Sequence, residues 1–123
     1  MEKCVLELQQ LVFDEITFKR LGFKNPKSEL AMSLNITIDK ENQKIYRVKL
    51  TVNGEKQEEY RFKIVLIGFF SIQLHNEEEI KNILSKNAVA IMFPYLRSQI
   101  SLLTAQPGTE SVVLPPININ SIF

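Results

Sequence analysis

The sequence predicts an α+β domain in which a four-stranded antiparallel sheet is covered on one face by helices. Isoleucine and valine, with 14 and 8 residues, far outnumber the 4 alanines, and β-branched side chains favour strands over helices. Four segments before residue 73 alternate apolar and polar residues, whereas residues 75–105 carry apolar residues at helical spacing. A chain of 123 residues forms one domain of ordinary size, so we assign residues 1–123 to a single domain.

The first strand is predicted from Cys4 to Phe18, where alternate positions are mostly apolar. So long a strand favours a bulge, which we place near Gln9-Gln10. Leu11 and Phe13 interrupt the alternation and therefore fall on the opposite, otherwise polar face. We expect these two residues to contribute to an oligomer interface.

Three further strands follow as a meander. Clean alternation predicts strands over 32–38 and 46–52, and a last strand that begins at Glu59 or Tyr60 and ends at Ile72. Asn53-Gly54 is typical of a tight hairpin turn, because both central positions of such a turn need a positive φ. We therefore predict a turn there.

The helices that cover the sheet are predicted from His75 to Lys86 and from Asn87 to Ala105. Asn76 is the expected N-cap, since three glutamates follow it in the first turn, where carboxylates favour the helix dipole. Pro94 is expected to start a helix or to kink a longer one. The second helix carries an apolar stripe that we assign to the oligomer interface, namely Leu96, Ile100 and Leu103.

Composition excludes several classes of function. The 15 basic and 14 acidic residues nearly cancel, so no global field attracts nucleic acid or an anionic membrane, and we expect neither as a partner. Apolar runs are too short to span a bilayer, and the N-terminus lacks the features of a signal peptide, which predicts a reducing, cytoplasmic setting. A single histidine, His75, and a single cysteine, Cys4, predict no metal site and no internal disulfide.

No catalytic constellation is evident, so we expect neither an enzyme nor a bound cofactor. The four glycines are too scattered for a phosphate-binding loop, and the carboxylates lie in turns or on polar faces. Arg47, Lys49, Arg61 and Lys63 share the polar parity of two strands. Sheet-surface nucleic-acid binders place stacking aromatics on such a face, and Phe69, near the far end, is the only aromatic residue of this parity on these strands. We therefore interpret the group as a solvated face.

Surplus apolar residues are the most informative feature. The last strand is apolar on both faces from Val65 to Phe70, and the C-terminal stretch adds Ile117 and Ile119. Large apolar patches mark association sites. The residues leave two interpretations open, an oligomer interface and a groove for apolar polypeptide segments, and the two can coexist.

Four segments, in order, resemble the SecB family of protein-export chaperones. Residues 92–101, Met-Phe-Pro-Tyr-Leu-Arg-Ser-Gln-Ile-Ser, are similar to that family's Leu-Phe-Pro-Tyr-Ala-Arg core, and residues 114–123 resemble its Leu-Ala-Pro-Val-Asn-Phe-Asp-Ala-Leu-Phe segment. Residues 68–72, Gly-Phe-Phe-Ser-Ile, resemble its Gly-Ile-Phe-Ser-Ile, and residues 14–18, Asp-Glu-Ile-Thr-Phe, its Asp-Ile-Ser-Phe.

The resemblance implies sheets joined edge to edge in a dimer, and two dimers packed through their helices into a homotetramer. It also implies ATP-independent holding of unfolded export clients and their handover to the SecA motor. Leu34, Ile36 and Ile38 align with family positions that touch clients. Taken together with the surplus apolar residues, the predicted client-binding set is Leu34, Ile36, Ile38, Phe69, Ile117 and Ile119.

The resemblance implies a SecA-docking surface on the outer face of the sheet, where Glu15 matches one of the family's carboxylates. Lys19, Arg61 and Lys63 stand where the family has acidic or apolar residues, and this reversed charge opposes docking of SecA in the family's way. Two alternatives therefore stay open. One is a SecB-like chaperone dedicated to the antitoxin of a toxin–antitoxin system, and the other is a non-chaperone oligomeric binding module.

Overall fold

Four antiparallel strands precede one long helical segment in the computed structural model, which describes residues 6–23 and 27–114. The strands are β1 (Leu6–Arg20), β2 (Leu30–Lys40), β3 (Ile45–Lys56) and β4 (Tyr60–Ile72). They form one sheet in the order β1-β4-β3-β2, so β2, β3 and β4 make the predicted meander and β1 pairs with β4. The α+β prediction is confirmed.

The turn between β3 and β4 differs from the prediction. Asn53 and Gly54 lie inside β3, opposite Lys63 and Phe62 of β4. The chain reverses three residues later, at Gln57 to Glu59, where Glu58 takes the positive φ of 66°. A Cβ atom added to Gly54 would overlap the Phe62 ring, so this glycine leaves room for a neighbouring side chain and does not form a turn.

Strand β1 contains two bulges, and the first one reverses the predicted orientation of Leu11 and Phe13. The register shifts between Leu8 and Gln10, as predicted, and again between Phe13 and Glu15. As a result Leu11 lies opposite Gly68 and Phe13 opposite Leu66, both on the face that the helix covers. Each extra residue reverses the inside-outside alternation, because the side-chain period of a strand is two.

The helical segment runs without a break from α1 (Glu77–Ile83) through a π-helical turn (Leu84–Ala88) into α2 (Val89–Thr104). Asn76 is the N-cap, as predicted: its side-chain oxygen accepts hydrogen bonds from the backbone N–H groups of Glu78 and Glu79 at 2.9 and 3.2 Å. Pro94 lies within α2 and does not start it. Two separate helices were expected, and the structure joins them.

The core lies between this helix and one face of the sheet, which we call the covered face; the other is the outer face. The buried side chains of β3 and β4 meet those of the helix. Leu96 and Ile100 are 0% and 1% exposed, so they belong to the core of their own chain. Their predicted place in an oligomer interface is therefore wrong.

Candidate functional site

A single helix cannot cover this sheet. An α-helix with its side chains is about 10–12 Å wide, whereas four strands spaced by about 4.8 Å make a sheet of about 19 Å. The covered face is accordingly buried on the two central strands, as at Leu50 and Leu66, and only half-buried on the two edge strands. Two apolar strips therefore flank the helix, one on β2 and one on β1.

The β2 strip brings together three predicted client-binding residues. Leu34, Ile36 and Ile38 lie opposite Val52, Leu50 and Val48 of β3, are half-buried, and pack at the edge of the core. Met32, on the same face, is 39% exposed. The alternation of the sequence places Met32 in this row, but only the structure shows that the helix leaves it open.

Strand β2 is also an edge strand, since among the described strands it pairs with β3 alone. One row of its backbone N–H and C=O groups is consequently free for an added strand. An extended polypeptide that paired there would place every second side chain against the β2 strip. This combination of a free edge and an apolar strip suits segments of many sequences, because apolar burial is non-directional.

Of the other predicted client-binding residues, Phe69 lies within the described part of the chain, and it does not join this strip. Phe69 is half-buried on the outer face of β4, where Arg47 and Gln10 are its register neighbours. The thickness of the sheet separates Phe69 from Leu34. Ile117 and Ile119 lie outside the described residues.

The β1 strip lies at the opposite edge of the covered face. Leu11, Phe13 and Phe18 are half-buried against the core, and Ile16 is 41% exposed. Leu11 and Phe13 were predicted at an oligomer interface on the other face. The structure instead places them in this strip, where their role in an interface stays a prediction.

A second apolar stripe runs along the side of α2 that faces away from the sheet. Tyr95 and Leu102 are 51% and 70% exposed, and Ile91 lies one turn before Tyr95. The predicted interface residue Leu103 is half-buried between the two sides of the helix. Apolar residues occur on both sides of α2, so the sequence could not tell which stripe faces the sheet.

The outer face is polar with a small apolar group on β1 and β4 that includes Val12, Ile67 and Phe69. Glu15, the predicted docking carboxylate, lies on this face, 3.7 Å from the Lys63 ammonium group. Two further carboxylates approach Arg47, one from Asp39 and one from Glu41.

One carboxylate and one phenol are buried at the β3–β4 turn. Glu59 is 2% exposed and forms a 3.0 Å ion pair with Lys56. Burial of Tyr60, reinforced by the negative charge of Glu59, raises the pKa of its hydroxyl above the usual value of 10.0. The backbone N–H groups of Leu21 and Gly22 donate to the Glu59 carbonyl, which fixes the end of β1 to this turn.

Within residues 6–23 and 27–114, no cluster of histidine, cysteine or carboxylate side chains could hold a metal ion. None of the helices in these residues has the length and apolar character to cross a membrane.

The family model for SecB, described as preprotein translocase subunit SecB, matches residues 7–123. The chain belongs to the SecB family. This SecB-family chain is 31% identical, over 95% of its own length and 81% of the relative's, to an uncharacterized protein of Methanocaldococcus jannaschii. It is 26% identical to the protein-export protein SecB of Methylococcus capsulatus, over 77% of this chain and 52% of that protein.

The fold of this SecB-family chain also matches solved structures. A SecB-like chaperone of Mycobacterium tuberculosis, in complex with a peptide from the HigA1 antitoxin, superposes with a TM-score of 0.77 at 13% identity, over 92% of this chain and 88% of that one. A protein of unknown function from Streptococcus agalactiae superposes with a TM-score of 0.55 at 12% identity, over 93% of this chain and 99% of that one. At these identities the likeness concerns the fold.

Proposed function

We propose that this SecB-family protein is an ATP-independent holdase that binds extended apolar segments of non-native polypeptides and catalyses no reaction. The observation that carries the proposal is that one helix is narrower than the four-stranded sheet, which leaves the β2 strip half-open. The strip lies beside the edge of β2 that pairs with no other described strand. Leu34, Ile36 and Ile38 are the contact residues in this proposal.

The clients belong to one of two classes. Membership of the SecB family supports precursors awaiting export, held in the cytoplasm. The solved complex of the M. tuberculosis SecB-like chaperone contains an antitoxin peptide, which supports a client dedicated to one toxin–antitoxin system. Lys63 pairs with Glu15, the carboxylate expected to dock SecA, and this pairing favours the second class because it weakens an acidic docking surface.

The β1 strip and the apolar stripe on the outward side of α2 support assembly into a homotetramer. A half-open β1 strip that includes Ile16 lies at one sheet edge, and Tyr95 and Leu102 project from the helix. Exposed apolar patches of this kind mark association sites. We assign the β1 edge to pairing of two sheets and the α2 stripe to packing between dimers.

An aggregation-suppression assay without nucleotide tests the holdase. We expect an unfolded client to stay in solution at equimolar tetramer, with binding that depends weakly on salt and has a negative heat-capacity change. The particle mass, measured by light scattering, tests the assembly. A general client that aggregates while an antitoxin stays in solution would restrict the function to the dedicated chaperone, and failure with both would refute the proposal.

Binding that weakens steeply with salt would instead assign recognition to the basic side chains of the outer face. Strong binding of nucleic acid with such salt dependence would favour the non-chaperone binding module.

A further inference from the structure

A trough of about 680 Å³ crosses the outer face of the sheet where β1 ends and β2 begins. Its lining comes from all four strands, at residues 17–19, 31–33, 53–55 and 61–63. The strand register arranges these residues in three parallel rows. One outer-face row consists of Thr17, Lys63, Asn53 and Ser33. The other consists of Lys19, Arg61, Glu55 and Ala31.

The middle row consists of Phe18, Phe62, Gly54 and Met32. The side chains of Phe18, Phe62 and Met32 point to the covered face, and Gly54 has none. The backbone of the middle row therefore forms the floor of the trough, and the two outer-face rows form the walls. The neighbouring rows of the covered face, such as the one through Ile64 and Val52, contribute nothing to the lining. The trough thus opens on the side away from the helix.

The dimensions suit a single extended polypeptide. Two side-chain rows on one face of a sheet are about 7 Å apart, and three inter-strand spacings give a length of about 14 Å. An extended chain covers that length with about four or five residues. A single-stranded nucleic acid would need aromatic platforms for its bases, whereas the rings of Phe18 and Phe62 point to the other face.

The charged residues of the trough indicate which kind of polypeptide it binds. Lys19 lies directly opposite Arg61 in the register, and Lys63 follows on the same face of β4. Lys63 is paired with Glu15. Among the described residues no carboxylate lies within 4 Å of the charged groups of Lys19 or Arg61.

Glu55, which faces Arg61 across the strands, is likewise outside ion-pair distance of it. Like charges directly opposite each other destabilise a sheet. On the same face Arg47 and Lys63 are paired with carboxylates, which distinguishes them from Lys19 and Arg61. An anionic ligand across both cations would remove the repulsion.

We propose that this trough docks a short acidic segment of a partner polypeptide. The carboxylates of the segment lie over Lys19 and Arg61 at the β1–β4 end, and its uncharged residues pass over Ala31 and Ser33 at the β2 end. The inference goes beyond the proposed holdase, because the trough lies on the opposite face from Leu34. The aggregation assay and the docking assay therefore test separate surfaces, and each can fail alone.

Fluorescence anisotropy of the full chain tests the proposal with three probes: a short labelled peptide of alternating glutamate and serine, the same peptide with glutamine for glutamate, and a short oligothymidylate. The acidic peptide should bind, more weakly in physiological than in low salt, and tighter than either other probe. Arg61→Gln should weaken its binding about tenfold, as expected when a charge-assisted contact is lost.

Lys49→Gln is the matched control, because Lys49 is an exposed cation of the same face that lies outside the trough. It should leave peptide binding unchanged. Arg61→Gln should also raise the melting temperature slightly, since it removes a like-charge neighbour of Lys19, whereas a merely structural role for Arg61 would lower it. Absence of acidic-peptide binding, equal binding of the glutamine peptide, equal losses in both variants, or tighter binding of oligothymidylate would each overturn the proposal.

Discussion

The ring of Phe62 occupies the space beside Gly54 that a side chain at position 54 would need. Both residues face the helix-covered side, directly opposite each other on β4 and β3. Gly54→Ala should therefore force the ring to move and lower the free energy of unfolding by about 1–3 kcal/mol. Urea denaturation measures this loss.

Asn53→Ala is the control for Gly54→Ala, because its exposed side chain should change stability by less than about 0.5 kcal/mol. Phe62→Leu in the Gly54→Ala background should restore part of the loss, since a smaller side chain removes the overlap. Equal stability of Gly54→Ala and the unaltered protein would contradict the assigned register of β3 and β4.

The two sides of α2 should respond differently to a charge. Ile100→Asp places a carboxylate in the core and should destabilise the protomer by about 3 kcal/mol or more. Leu102→Asp changes an exposed residue of the outward stripe, so it should preserve helicity while reducing the particle mass. Circular dichroism measures helicity and the melting temperature, and light scattering measures the particle mass. An unchanged melting temperature for Ile100→Asp would refute the packing of α2.

The β2 strip offers a matched pair of variants for client binding. Ile36→Gln removes apolar surface from the strip, whereas Thr37→Gln alters the adjacent, exposed residue of the outer face. Ile36→Gln should weaken client binding several-fold, in line with about 25 cal/mol for each Å² of apolar area lost, and Thr37→Gln should not. Comparable losses in both variants would show that clients do not bind this strip.

Removal of the helix N-cap should weaken the attachment of the helix to the sheet. Asn76→Ala leaves the N–H groups of Glu78 and Glu79 without their acceptor and should cost about 1 kcal/mol. Asn82→Ala, an exposed change in the same helix, is the control. The prediction fails if both variants have the same denaturation midpoint.

Because the hydroxyl of Tyr60 is buried, we expect the folded protein to lose stability at alkaline pH. Burial raises the pKa of its hydroxyl above 10.0, so the unfolded chain releases this proton at lower pH than the folded one. The stabilisation is present in full below pH 10 and declines as the pH rises through the raised pKa. Urea midpoints should fall above pH 10, and less steeply in Tyr60→Phe; identical slopes would contradict this prediction.

The local pattern of the sequence determined the strands, the N-cap at Asn76 and the α+β class. These features depend on the alternation of apolar and polar residues and on hydrogen bonds between near neighbours in the chain, both of which can be recognised in the sequence. Similarity of four ordered segments to the SecB family, confirmed by the family match over residues 7–123, added the assembly and activity that we propose. None of this required the positions of distant residues.

Only the tertiary structure decided which way the side chains of the strands and of α2 face. The first bulge of β1 turns Leu11 and Phe13 toward the helix, and the second returns Ile16 and Phe18 to the same face. Gly54 makes room for the Phe62 ring and does not form a turn. Both outcomes depend on a partner strand far along the chain. The side of α2 that meets the sheet, with Leu96 and Ile100, was likewise undetermined, since both sides are apolar. Periodicity shows that a face is apolar, but only packing between distant segments decides what that face covers.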